Sequence, residues 1–171
     1  MAGTYEIIES QTLVTAAATI LFSSIPQTYT DLILVSSSRS TSSGGYDDNV
    51  AYRFNGDTAN NFSRTTLSGD GTSASSFRAI NEPALFIALQ NLSTAPANTF
   101  SPNTLHVFNY TNATTFKTVL SRAAISGSLV RGCVGLWRKT PEAITTITVF
   151  SLSVANFAVG STFSLYGIKA A

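Results

Sequence analysis

Charge is scarce in this chain. Of its 171 residues, 11% are Asp, Glu, Lys or Arg, against a usual share of about 25%. Net charge at neutral pH is +1, and the basic residues stand singly apart from Arg138-Lys139. Nucleic-acid binding shows itself as a basic patch or stripe, and a pair is neither. Histidine and cysteine occur once each, as His106 and Cys133. A Ser-His-Asp triad would have to use His106 as its base, and no G-x-S-x-G elbow surrounds any serine. One His and one Cys cannot build a structural zinc site unaided, and a lone thiol closes no intrachain disulfide. The nine acids show no pairing that recommends glycoside hydrolysis. Asp47-Asp48-Asn49 and Asp57 carry oxygen ligands but match no calcium-loop spacing. Gly44-Gly45 and Gly69-Asp70-Gly71 precede no helix, so neither is a phosphate loop. The expectation is a protein that is not an enzyme, with no catalytic residue, cofactor or metal to nominate.

Long apolar runs are missing too. None approaches the length of about 18 that suggests a membrane span. Met1 to Glu6 lacks the basic and apolar regions of a secretory signal. The chain reads as one made and folded in a cytoplasm, with no membrane partner.

Two classes of residue are plentiful. Apolar types make up 44%, ample for one domain that buries about 70% of its unfolded surface. Ser and Thr supply roughly a quarter of the sequence, at home in turns and strands respectively. They lose little side-chain entropy when covered and avoid the desolvation cost of a charge. Such a surface suits burial against neighbours, and equally suits an ordinary β protein.

Alternation then sets the fold class. Val50, Tyr52 and Phe54 alternate with Ala51, Arg53 and Asn55 in the period-two pattern of a half-buried strand. Asn55-Gly56-Asp57 supplies a turn, and Phe62, Arg64 and Thr66 share one side of a second strand, so Val50 to Gly71 reads as an antiparallel meander. Leu32 to Val35 is continuously apolar, as in a strand buried on both faces. Ser36 to Asp48 reads as a mobile surface loop, and Thr72 to Ala79 as another polar stretch. Thr104 to Tyr110, Phe116 to Ala124, Gly127 to Lys139, Ala143 to Val154 and Thr162 to Ile168 complete the strand-like runs. On the order of eight to ten strands with short turns predict an all-β antiparallel sandwich, jelly-roll-like, in one domain over 1–171. Residues 1–10 form a short arm or an edge strand.

Three residues and one segment stand out from the strand pattern. His106, between Leu105 and Val107, reads as a packed or surface strand histidine. Cys133 reads as a small buried apolar residue. Trp137 is either a core-facing strand residue or an exposed anchor for a partner or a sugar ring. Tyr5, Ile7 and Ile8 are interface candidates, although an edge strand explains them as well. Taken alone, the residues describe a soluble β domain and do not say what it does.

A pattern of motifs says more. Tyr29-Thr30-Asp31-Leu32, Arg53-Phe54-Asn55-Gly56-Asp57, Asn61-Phe62-Ser63-Arg64, Gly69-Asp70-Gly71 and Phe163-Ser164-Leu165-Tyr166-Gly167-Ile168 occur in that order. The ordered set resembles small virion structural proteins of tailed phages, especially those infecting cyanobacteria. The resemblance implies a jelly-roll capsid cement or decoration protein on the virion surface. Its partners would be the major capsid protein and copies of itself, as a homotrimer. Similar domains occur in tail fibres. That alternative makes the chain a receptor-binding module for host glycan, with an exposed aromatic cluster near Trp137 or Tyr46. No catalytic residues come with the resemblance.

Overall fold

Phe163, Leu165 and Gly167 point inward from a strand whose even-numbered residues face out, and the same alternation recurs along most of the chain. The computed structural model describes residues 4–45, 48–127 and 129–169. Among these, every regular element is a strand: β1 (Tyr5–Thr12), β2 (Thr19–Phe22), β3 (Asp31–Ser38), β4 (Asp48–Phe54), β5 (Phe62–Gly69), β6 (Ala74–Glu82), β7 (Leu85–Gln90), β8 (Ser101–Val107), β9 (Lys117–Ala124), β10 (Val130–Trp137), β11 (Ile147–Ser151) and β12 (Thr162–Ile168).

Two antiparallel sheets hold them. The larger runs β1-β12-β3-β8-β9-β10-β5-β6, and the smaller β2-β11-β4-β7. Set β5, β6, β9 and β10 aside and the remainder is a jelly roll, with β1-β12-β3-β8 facing β2-β11-β4-β7. The other four strands are two insertions, β5-β6 after β4 and β9-β10 after β8, and they widen one sheet to eight strands. The all-β sandwich expected from alternation is what forms.

The core lies between the sheets. Leu32, Leu34, Leu105, Val107, Val119 and Phe62 come from the large sheet and meet Ile20, Phe22, Val50, Phe54, Leu85 and Val149 from the small one. Burying a side chain of this size contributes about 1.5–3 kcal/mol. Glycine is required at two closely packed positions. A Cβ on Gly167 would overlap the Tyr29 ring, and one on Gly135 would come 2.8 Å from Leu85 and Val119 side-chain carbons.

Three expectations need correction. The meander from Val50 to Gly71 does not form: β4 pairs with β11 and β7, whereas β5 pairs with β10 and β6 in the other sheet. The Asn55-Gly56-Asp57 turn therefore carries the chain from one sheet to the other. Ser36, Ser38 and Ser40 are not a surface loop; all three are buried, the first two on the inner face of β3. Thr72 to Ala79 is largely strand, since β6 begins at Ala74. Its residues are exposed on both faces, so the period-two contrast that reveals a strand is absent.

The small sheet's β7 edge is capped from within. Asn103 Oδ1 accepts from Leu89 N at 3.2 Å, and Ser101 Oγ accepts from Asn91 N at 2.8 Å. Ser121 Oγ donates to Ile87 O at 3.2 Å, and the Arg64 guanidinium donates to Phe86 O. These side chains of the large sheet satisfy backbone groups that an edge strand leaves open.

Candidate functional site

The five sequence motifs, from Tyr29-Thr30-Asp31-Leu32 to Phe163–Ile168, are spent on the fold. Asn55, at φ 50°, saturates its amide. Its Nδ2 donates to Glu142 Oε1 and Ala143 O, and its Oδ1 accepts from Thr145 N, Thr145 Oγ1 and Thr146 N. Asp57 accepts from Trp137 Nε1 at 2.7 Å, Asn61 Nδ2 at 2.9 Å and Ala59 N at 2.9 Å. Burial alone would raise its pKa. The three donors outweigh that and hold its carboxyl below the ordinary range. Arg64 pairs with Glu82 at 2.8 Å. Arg53 donates to Pro83 O and lies 4.4 Å over the Phe150 ring. Asp70 Oδ1 accepts from Thr72 N and Ser73 N in an Asx turn. Asp31 holds His106 Nε2 at 2.9 Å and Asn109 N at 2.7 Å.

The remaining nominated residues separate. Trp137 is 2% exposed, stacked on Phe62 at 6.2 Å and edge-on to Phe54 at 5.6 Å. Its indole is therefore unavailable to a partner, and the core-facing reading holds. A sugar-binding platform has no Trp137 to use, and Tyr46 lies outside the described residues. Tyr5 and Ile7 are 59% and 60% exposed on the outward side of the edge strand β1, while Ile8 is half-buried against the core. Ordinary alternation separates Ile7 from Ile8, and the bulge between Ile7 and Glu9 keeps Glu9 half-buried as well, shifting the outward positions to Ser10 and Thr12. Cys133 is buried beside Thr66 Oγ1, and burial pushes its thiol pKa up.

The acids considered as calcium ligands are engaged or outside view. Asp48 is buried and takes hydroxyl donors from Ser40 at 2.8 Å, Ser151 at 2.5 Å and Ser153 at 2.6 Å, with Gln90 Nε2 at 3.1 Å. Asp47 lies outside the described residues. Among the described residues, no three His, Cys, Asp or Glu side chains gather as a metal site would require.

What the residues do assemble is a surface. Along one register line the outward side chains of the large sheet are Ile7, Tyr166, Ile33, His106, Leu120, Val134, Thr65 and Arg78. The adjacent line reads Ser10, Ser164, Val35, Thr104, Arg122, Gly132, Leu67 and Ser76. Neither line contains an acid, and the fixed charges are two arginines. Leu67 at 63%, Val134 at 51% and Leu120 at 41% are well exposed. Gly69 and Gly132 floor an open hollow of about 790 Å³ between Leu67, Val130 and Arg122. Large exposed apolar side chains gathered on one face, here among hydroxyls and two arginines, mark a candidate interaction site.

Sequence reading missed this face. The signal was present in the strand parity: Leu120 and Val134 occupy positions where a solvent-facing strand carries polar residues.

Comparison of the chain with protein-family models, curated proteins and solved structures finds no match.

Proposed function

We propose that this chain is a virion structural protein of the tailed-phage kind, a capsid cement that binds over junctions between major capsid protein subunits. The observation that carries the reading is the outer face of the large sheet, apolar and hydroxyl-bearing across eight strands and free of acids in its two central lines. Covering such a face costs little side-chain entropy and desolvates few charges. It also removes apolar area from water at about 25 cal/mol per Å².

The mechanism is mass action. A protein that binds the assembled shell and not its free subunits lowers the free energy of the assembled state. Many copies acting together then oppose the outward pressure of packaged DNA. No bond is made or broken in this role, which fits side chains committed to packing.

The test is co-sedimentation of purified protein with assembled shells and, separately, with unassembled capsid subunits. Wild type is expected to saturate shells, raise their disruption temperature and ignore free subunits. Leu120→Lys/Val134→Lys, which places two cations on the face, is expected to lose shell binding while keeping its fold. Equal binding to free subunits, or no binding to shells, would end this reading.

A further inference from the structure

The two sheets treat their edges differently. The small sheet caps its β7 edge with Asn103, Ser101, Ser121 and Arg64, as described above, and Gln11 Nε2 reaches Leu21 O on its β2 edge at 3.3 Å. Among the described residues, the large sheet ends at β1 on one side and β6 on the other, each with a single hydrogen-bonded strand neighbour. These edges are long, eight and nine residues. β6 (ASSFRAINE) contains no lysine and no proline, although Arg78 is a charge on that edge, and β1 is bulged beyond Ile7 and regular from Tyr5 to Ile7.

We propose that the partner for these edges is a second copy of this chain, joined head to tail, with β1 of one copy adding to β6 of the next. It deepens the assembly half of the reading above and is independent of shell binding.

Direction supports it first. All seven pairings across the eight strands are antiparallel, so the two edge strands run in opposite senses. A second copy set beside the first in the same orientation brings its β1 antiparallel to β6. The ladder then continues without a break, and outward faces stay outward. The apolar line described above, which ends at Arg78, resumes at Ile7 and Tyr166 of the next copy.

Charge supports it second, by disfavouring the symmetric β6 alternative. Full overlap of β6 with its own copy centres on Arg78, the middle residue of the strand, and sets two guanidinium groups directly opposite. Pairing β1 with itself in full overlap sets Glu6 opposite Gln11 and Glu9 opposite Ile8 and gains no complementary charge, since Glu6 already holds Lys169 of its own copy at 2.7 Å; the charge conflict lies in the β6 pair. Like charges directly opposite are destabilising. Pairing β1 with β6 sets Tyr5 and Ile7 beside Arg78 and Ile80 on the outward face, with no like pair there. Such a contact is heterologous and closes into a ring when its rotation permits.

The experiment uses the isolated full chain. Light scattering after size exclusion gives the mass of wild type, of Tyr5→Lys/Ile7→Lys and of Ser76→Lys/Ile80→Lys. All four positions are exposed, and circular dichroism confirms that each variant keeps its fold. Wild type is expected to be oligomeric and each variant alone to run as one protomer. Mixed one to one, the two variants retain one intact β1 and one intact β6 between them, so a two-protomer species is expected. A monomeric wild type overturns the proposal. So does a β1 variant that keeps the wild-type mass, which would indicate a symmetric β6 contact, or a mixture that stays monomeric. Shell binding by a monomeric wild type would leave the cement reading standing and remove only this inference.

Discussion

Replacing Trp137 by Phe tests whether the motif residue Asp57 acts through the fold. Trp137 Nε1 donates to Asp57 Oδ2 at 2.7 Å, and Asp57 is 8% exposed. Phe removes that charge-assisted bond, worth about 1.5–3 kcal/mol. It also empties the pyrrole half of the site, for about 1 kcal/mol more. The expected loss is about 3 kcal/mol, or roughly 6–12 °C in Tm for a chain of this size. The sign with pH follows from Asp57, whose folded pKa lies below its unfolded value because donors outweigh burial. Its contribution is complete above the unfolded value of about 3.9 and fades as pH falls through the folded one. The Trp137→Phe penalty should therefore be largest at neutral pH and shrink in acid. Urea unfolding followed by circular dichroism is the assay, since the substitution removes the only tryptophan. Asp57→Asn and the double variant complete a cycle with an expected coupling above about 1 kcal/mol. Additivity within about 0.5 kcal/mol, or a penalty unchanged in acid, would refute the reasoning.

Gly167→Ala forces a methyl into the Tyr29 ring and is expected to cost about 1–3 kcal/mol in denaturant unfolding; a neutral result would mean the ring moves aside freely. Arg39 donates to the carbonyls of Ser93, Ala95, Pro96 and Thr99. Arg39→Lys, which lacks the planar fork, should therefore open the loop between β7 and β8 to limited proteolysis, and cleavage at the wild-type rate would contradict that. Cys133 is buried with a raised thiol pKa, so labelling by a thiol reagent should track global unfolding. Fast labelling of native protein would contradict its placement. Glu6→Gln, which removes an exposed pair with Lys169, should leave Tm unmoved.

The legibility of this fold in sequence followed the contrast between neighbouring residues. β12 is legible to the residue because Phe163, Leu165 and Gly167 alternate with Ser164, Tyr166 and Ile168. Cys133 was placed by its apolar neighbours. β6 was missed because neither of its faces is buried, and the inner end of β3 because serine there looks like loop. Those serines are buried beside Asp48 and Tyr52, a polar layer that composition assigns to the surface. The partnerships that fix the motifs span long separations: Asp31 with His106, Asp57 with Trp137 and Asn55 with Glu142. Local pattern carries no trace of such pairs. The meander failed for the same reason, since a turn sequence states that the chain reverses and not which sheet it enters next.

Cryo-microscopy of the intact particle tests the central claim most directly. Density for this fold is expected on the capsid exterior over junctions between major capsid subunits, with Leu120 and Val134 turned toward the shell. Density confined to the tail, or a capsid-bound copy with that face turned to solvent, would contradict it.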